Sequence, residues 1–225
     1  MSSRERYRLQ LLQALNPQDH NRRLHFCVNF QQRLEEDGFP EKLVFSDETT
    51  FHVCGKANRH NVRIWGTENP DATMEHVRDL PKVNVFCVLC RFLLPSLGSF
   101  FFAEPTVTFV NHLHMLQLWL MPQLQEDSGD FIFQQDGAPP HLHFEVRAHL
   151  NANLPVRSIG RASHNDFPLL PWPPQSPDLT LCHFFLWGYI KDRVYVPPMP
   201  CEFPQLRQRI VEAVTAIDRQ MLPRV

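Results

Sequence analysis

Phe131-Ile132-Phe133-Gln134-Gln135-Asp136-Gly137-Ala138-Pro139-Pro140 is a short apolar run that ends in acid and then turns. Upstream, Lys42-Leu43-Val44-Phe45-Ser46-Asp47-Glu48 has the same shape, a β-rich run cut off by two acids. Each run reads as a buried strand. If the two strands are neighbours, Asp47 and Asp136 stand together at one edge of a sheet. An aspartate after a single strand is ordinarily a turn residue. A pair suggests a site, because hard divalent cations take oxygen ligands and two cations about 4 Å apart can serve phosphoryl transfer.

Outward from this pair, Thr49 to Cys54 reads as a second strand after a turn at Asp47-Glu48, with a break at Gly55. Lys82 to Cys90 is a third strand, and Ser99 to Ala103 continues the sheet. Thr108 to Gln125 spaces Val110, Leu113, Met115, Leu116, Leu118, Trp119 and Leu120 as a helix packed on that sheet would. A further helix is predicted from His141 to Asn151. Ser176-Pro177-Asp178 has the chemistry of a helix start, a capping hydroxyl with proline and acid in the first turn, ahead of Phe184, Phe185, Trp187 and Ile190. Leu206, Ile210, Val214, Ile217 and Met221 form one stripe of a last helix. At the other end, Arg4 to Glu36 predicts two short helices separated by Asn16-Pro17.

The 225 residues are 43% hydrophobic, enough for one large core with extensions. Lys and Arg number 22 against 24 Asp and Glu, so no global positive field advertises nucleic acid, and any DNA contact must come from local patches. No apolar run is long enough to span a bilayer, and the polar start lacks a leader's apolar stretch, so no membrane partner is expected. Twenty prolines cluster at 168–177 and 197–204, which read as loops. Cys87 and Cys90 have the spacing of half a zinc knuckle, but lie within a predicted strand without a second pair, which makes them buried thiols. The pairs His112/His114 and His141/His143 are weak chelators at best, and structural or surface roles are the default.

Five stretches occur in a fixed order: Ser46-Asp47-Glu48; Asn58-Arg59-His60-Asn61-Val62-Arg63-Ile64-Trp65-Gly66; Gln135-Asp136-Gly137-Ala138-Pro139-Pro140-His141; Trp172-Pro173-Pro174-Gln175-Ser176-Pro177-Asp178-Leu179-Thr180; and Phe184-Phe185-Leu186-Trp187-Gly188. Together they resemble the DDE/D transposases of the Tc1/mariner superfamily, its mariner-like and Tc3-like members above all, from about residue 20 onward. The resemblance implies an α/β, RNase H-like fold with a central mixed five-stranded sheet and helices on both faces. It also implies Mg²⁺ or Mn²⁺ as cofactor, metal-dependent DNA cleavage and strand transfer as activity, DNA and a second transposase copy as partners, and a nuclear rather than cytoplasmic location. The implied organisation is a helical linker at 1–40 following a helix-turn-helix region that this chain lacks, a catalytic domain at 41–198 and a C-terminal helix cut short at 199–225.

Carried over by position, Asp47 corresponds to the first metal-binding acid and Asp136 to the second. Glu48 follows Asp47 directly and so points to the opposite side of the strand, where a solvated or structural charge is expected. The third acid is missing. Relatives read Ser-Pro-Asp-Leu-Thr-Pro-Leu-Asp-Phe-Phe-Leu-Trp-Gly, and here His183 stands at the second of those aspartates. A neutral imidazole offers one nitrogen where Mg²⁺ wants an anionic oxygen. Asp178, five residues earlier, is more than one helical turn away and is accounted for as a cap. Strand transfer is therefore expected to be lost. Ser158 replaces a large aromatic of the family pattern, which predicts looser local packing. Arg59, His60, Arg63, Arg147, Arg157 and Arg161 are candidates for phosphate contact, giving weak, non-specific binding.

Overall fold

The computed structural model describes residues 14–53, 81–90, 98–127, 129–218 and 221. Arg59, His60 and Arg63, and the break at Gly55, lie outside these.

Helix α1 (Pro17–Leu34) starts where two helices were expected to part, with Pro17 in its first turn and Asp19 accepting a hydrogen bond from the Asn16 amide at 3.1 Å. Asn16-Pro17 is thus a helix start. After a single turn, α2 (Phe39–Lys42), the chain enters β1 (Leu43–His52), which pairs antiparallel with β2 (Lys82–Cys90) from Val44 opposite Cys90 to His52 opposite Lys82. Asp47 faces Cys87 and Glu48 faces Phe86 inside this ladder, so the expected turn does not exist and β1 is one continuous strand. Cross-strand pairing overrides the local signal of two acids.

Strand β3 (Phe100–Phe101) pairs on the far side of β2. Helices α3 (Phe109–Met115) and α4 (Met121–Asp127) are joined by a π turn over Leu116–Leu120, where the Met121 amide donates to the Leu116 carbonyl. Pro122 follows at once. It has no N–H and crowds the preceding turn, so a wider turn there is the expected accommodation. Strand β4 (Ile132–Gln134) lies parallel to β1 on the edge away from β2, with Phe45 beside Gln134. The predicted helix at 141–151 is two pieces, α5 (Pro139–Leu142) and α6 (Phe144–Asn153), broken at His143, whose backbone is extended. Strands β5 (Ser158–Gly160) and β6 (Leu170–Pro171) complete a six-stranded mixed sheet, in the order β3-β2-β1-β4-β5-β6. The sixth strand comes from the proline-rich stretch read as loop. Ser158 is buried in β5, and its carbonyl accepts from the Leu169 amide at 2.7 Å.

Helices cover both faces. One face packs Val44, Phe86, Val88 and Phe133 against Leu116, Leu120, Leu124, Val146 and Leu150. The other packs Phe51, Val85, Cys87 and Leu89 against Trp187 and Ile190 of α7 (Trp187–Val194) and Leu206 and Ile210 of α8 (Phe203–Thr215). Phe26 of α1 joins Trp172, Ile159 and Leu43 in a third cluster. Cys87 and Cys90, three residues apart on a strand, fall on opposite faces of the sheet and cannot share a metal.

Candidate active site

The parallel register that sets Phe45 beside Gln134 brings Asp47, half-way along β1, level with Asp136, which lies two residues past the carboxyl end of the adjacent β4. Asp47 is 7% exposed. Its Oδ2 accepts from Trp187 Nε1 at 2.9 Å and its Oδ1 from the Glu48 amide at 2.9 Å. Burial pushes the Asp47 carboxyl up to about 7, the negative charges of Glu48 and Asp136 add to the rise, and the Trp187 donor offsets part of it. Lys191 stands on the same face with Nζ on Thr49 Oγ1 at 3.0 Å, and burial holds its pKa below the ordinary lysine value. Asp136 Oδ1 accepts from the Ala138 amide at 2.9 Å and lies 2.8 Å from His141 Nδ1.

His183 does not join this pair. It sits on a π turn, Cys182–Leu186, with its side chain exposed, while its neighbours Cys182, Leu186 and Trp187 are buried. Among the described residues, the His, Cys, Asp and Glu side chains whose ligand atoms converge within 4.8 Å in a group of three are Glu48, His112 and His141, not Asp47, Asp136 and His183. The side chains carried over from the family pattern therefore do not fit a two-metal Mg²⁺ or Mn²⁺ centre. Two carboxylates remain, and the third donor is an exposed imidazole.

Of the two expectations for Glu48, a solvated or a structural charge, the structure shows the structural one. Glu48 points to the opposite face and is largely buried between His112 Nδ1 at 2.8 Å and His141 Nε2 at 3.1 Å from its Oε1. Burial alone would raise its pKa, yet the two imidazoles, His141 before His112, hold it well below the carboxylate range. Burial likewise works against charge on His141, but Glu48 and Asp136 raise its pKa well above the ordinary histidine value. Burial and the neighbouring His141 lower that of His112. The histidines thus meet across elements, rings 4.3 Å apart, rather than in the sequence pairs His112/His114 and His141/His143. His143 instead stacks on Phe109 at 3.4 Å between centroids.

Asp178 is not a cap. The Ser176 side chain makes no capping bond, and Pro177–Leu179 is only a 3-10 turn. Arg23 of α1 grips Asp178 with both amino groups, at 2.9 and 2.6 Å, and also donates to Ser176 Oγ at 2.8 Å. Of the candidate DNA-contacting arginines, Arg147 pairs with Asp166 and donates to the Leu142 carbonyl, and Arg157 donates to the Gly129 and Asn153 carbonyls. Arg161 lines an open groove of about 720 Å³ with Arg22, His25, Asn29 and Trp172. Sequence reading passed over Arg22, whose neighbourhood exists only once α1 lies along the 161–174 segment.

No family model and no curated protein matches the chain. Solved structures do. The Mos1 transposase paired-end complex with left transposon end aligns over 100% of this chain with TM-score 0.72 at 19% identity. The chain has the fold of a mariner transposase catalytic domain. The isolated Mos1 catalytic domain aligns over 96% of this chain and 90% of its own, with TM-score 0.64 at 19% identity. A Mos1 paired-end complex with Mn aligns with TM-score 0.70 at 19% identity. The chain spans 62% of the length of the Mos1 chain in the first complex.

Proposed function

We propose that the chain is a DDE/D catalytic domain of the Tc1/mariner type whose cleavage and strand-transfer chemistry is silenced at position 183, leaving weak, non-specific DNA binding. The observation that carries this reading is the sheet edge. Asp47 within β1 stands level with Asp136 just past the end of the adjacent β4, and the position of the third acid holds an exposed imidazole. Changes outside the metal's own ligands already cost about 10 to 100-fold at metal sites, so loss of a liganding carboxylate costs more. DNA would be held through phosphates at the groove bearing Arg22 and Arg161, with affinity falling as salt rises. Such a role belongs in the nucleus, alone or beside a second transposase copy.

The test is nicking of supercoiled plasmid in Mn²⁺ by the natural protein, His183→Asp, and His183→Asp with Asp136→Ala. Silence in the first, activity in the second and silence in the third are expected. Nicking by the natural protein that disappears in the single variant Asp136→Ala would establish a working nuclease and overturn the reading.

A further inference from the structure

We infer that Glu48, His112 and His141 form a binding site for one divalent ion of the zinc type, distinct from the Asp47/Asp136 edge. These three side chains come from β1, α3 and α5 and converge beneath the surface, with His112 0%, His141 3% and Glu48 13% exposed. A tetrahedral ion bound at about 2.0 to 2.1 Å holds its ligand atoms about 3.3 Å apart. Glu48 Oε1 lies 2.8 Å from His112 Nδ1 and 3.1 Å from His141 Nε2, and all three ligand atoms lie within 4.8 Å of one another, so shifts of about half an ångström or more toward a common centre admit the ion.

Two further observations point to a ligand. Each histidine turns its other ring nitrogen to an oxygen acceptor, His141 Nδ1 to Asp136 Oδ1 at 2.8 Å and His112 Nε2 to Gln135 Oε1 at 3.4 Å. Metal-binding histidines are held in this way, with a carboxylate or carbonyl fixing tautomer and ring orientation. His112 Nδ1 is fully buried and has no partner besides the Glu48 carboxylate that it approaches at 2.8 Å. In the tautomer whose ring proton sits on Nε2 facing Gln135, the Nδ1 lone pair would meet a carboxylate oxygen, two electron-rich atoms that a metal cation reconciles. Two imidazoles and one carboxylate suit Zn²⁺ or Co²⁺ far better than Mg²⁺, and three protein ligands leave a fourth position for water.

The experiment titrates the whole chain, freed of metal by chelation, with Co²⁺ and then displaces Co²⁺ with Zn²⁺. One equivalent of Co²⁺ with the visible spectrum of a nitrogen and oxygen site, lacking a thiolate charge-transfer band, is expected. Zn²⁺ should raise the melting temperature of the natural protein. Glu48→Gln and His112→Gln should weaken binding by more than about 100-fold, and Asp136→Asn by about 10 to 100-fold. His114→Ala, altering the histidine two residues along the same helix, should bind as the natural protein does. Circular dichroism separates loss of the site from loss of the fold. Folded variants that keep natural Zn²⁺ affinity, or a natural protein that ignores both ions at 100-fold molar excess, overturn the assignment. Because no readout involves DNA cleavage, the result stands apart from that of the plasmid assay.

Discussion

Asp47→Asn should stabilise the protein at alkaline pH while leaving the fold unchanged. The Asp47 carboxyl is buried, and its pKa moves from the ordinary 3.8 to about 7. The folded state therefore keeps a proton that the unfolded chain releases from about pH 4 upward. The stability contributed by that proton is fully present below the unfolded pKa, declines as pH rises toward 7 and is gone above it. At about 1.4 kcal/mol per pH unit, the natural protein should lose about 3 kcal/mol between pH 5 and pH 8 through this group. Asparagine fits the same space, keeps an oxygen for Trp187 Nε1 and has no charge to bury. Urea unfolding of both proteins in chelator at several pH values measures the difference directly. Curves that run parallel from pH 5 to pH 8 would refute the claim that Asp47 is held protonated by its surroundings.

Phe133, fully buried in β4, should cost about 3 to 5 kcal/mol when truncated to alanine, read as a shift in urea midpoint. Asp178→Ala removes the partner of Arg23, and because that carboxylate is half exposed the loss should be only about 1 kcal/mol, with faster proteolysis of α1 as the sensitive readout. Burial pushes the Cys87 thiol up to about 12 and that of Cys182 well above its ordinary value, so a maleimide at pH 7.5 should label exposed Cys27 and Cys201 and spare Cys87 and Cys182 until the protein unfolds, as mass spectrometry of peptides will show.

The apolar runs that end at Asp47 and Asp136 were legible because a strand buried on both faces writes its whole length in apolar residues. Their adjacency was legible only as a condition, since register depends on residues far apart in sequence. The false turn at Asp47-Glu48 has the same root. Two acids break a strand locally, but the cross-strand partners Cys87 and Phe86 were invisible without the ladder. Glu48 could be assigned to the opposite face from periodicity alone. What it meets there could not, because His112 and His141 approach from different helices. Pairing histidines two apart was the wrong search on a helix, where neighbours on one face are three or four residues apart. The Arg23–Asp178 contact was hidden for the same reason, and a local helix-start pattern took its place.

Retention of the fold and loss of the third acid are compatible because position 183 contributes nothing to the core. The π turn presents His183 to solvent while Cys182, Leu186 and Trp187 on the same segment fill the space beneath β1 and β2. An aspartate there would be equally exposed, so exchange with histidine carries almost no folding penalty and leaves the sheet, the two helix layers and the Asp47–Trp187 bond in place. Selection on stability alone would keep every buried neighbour and ignore this one residue. Structural likeness to Mos1 complexes therefore shows the fold and has no bearing on whether phosphodiester chemistry survives.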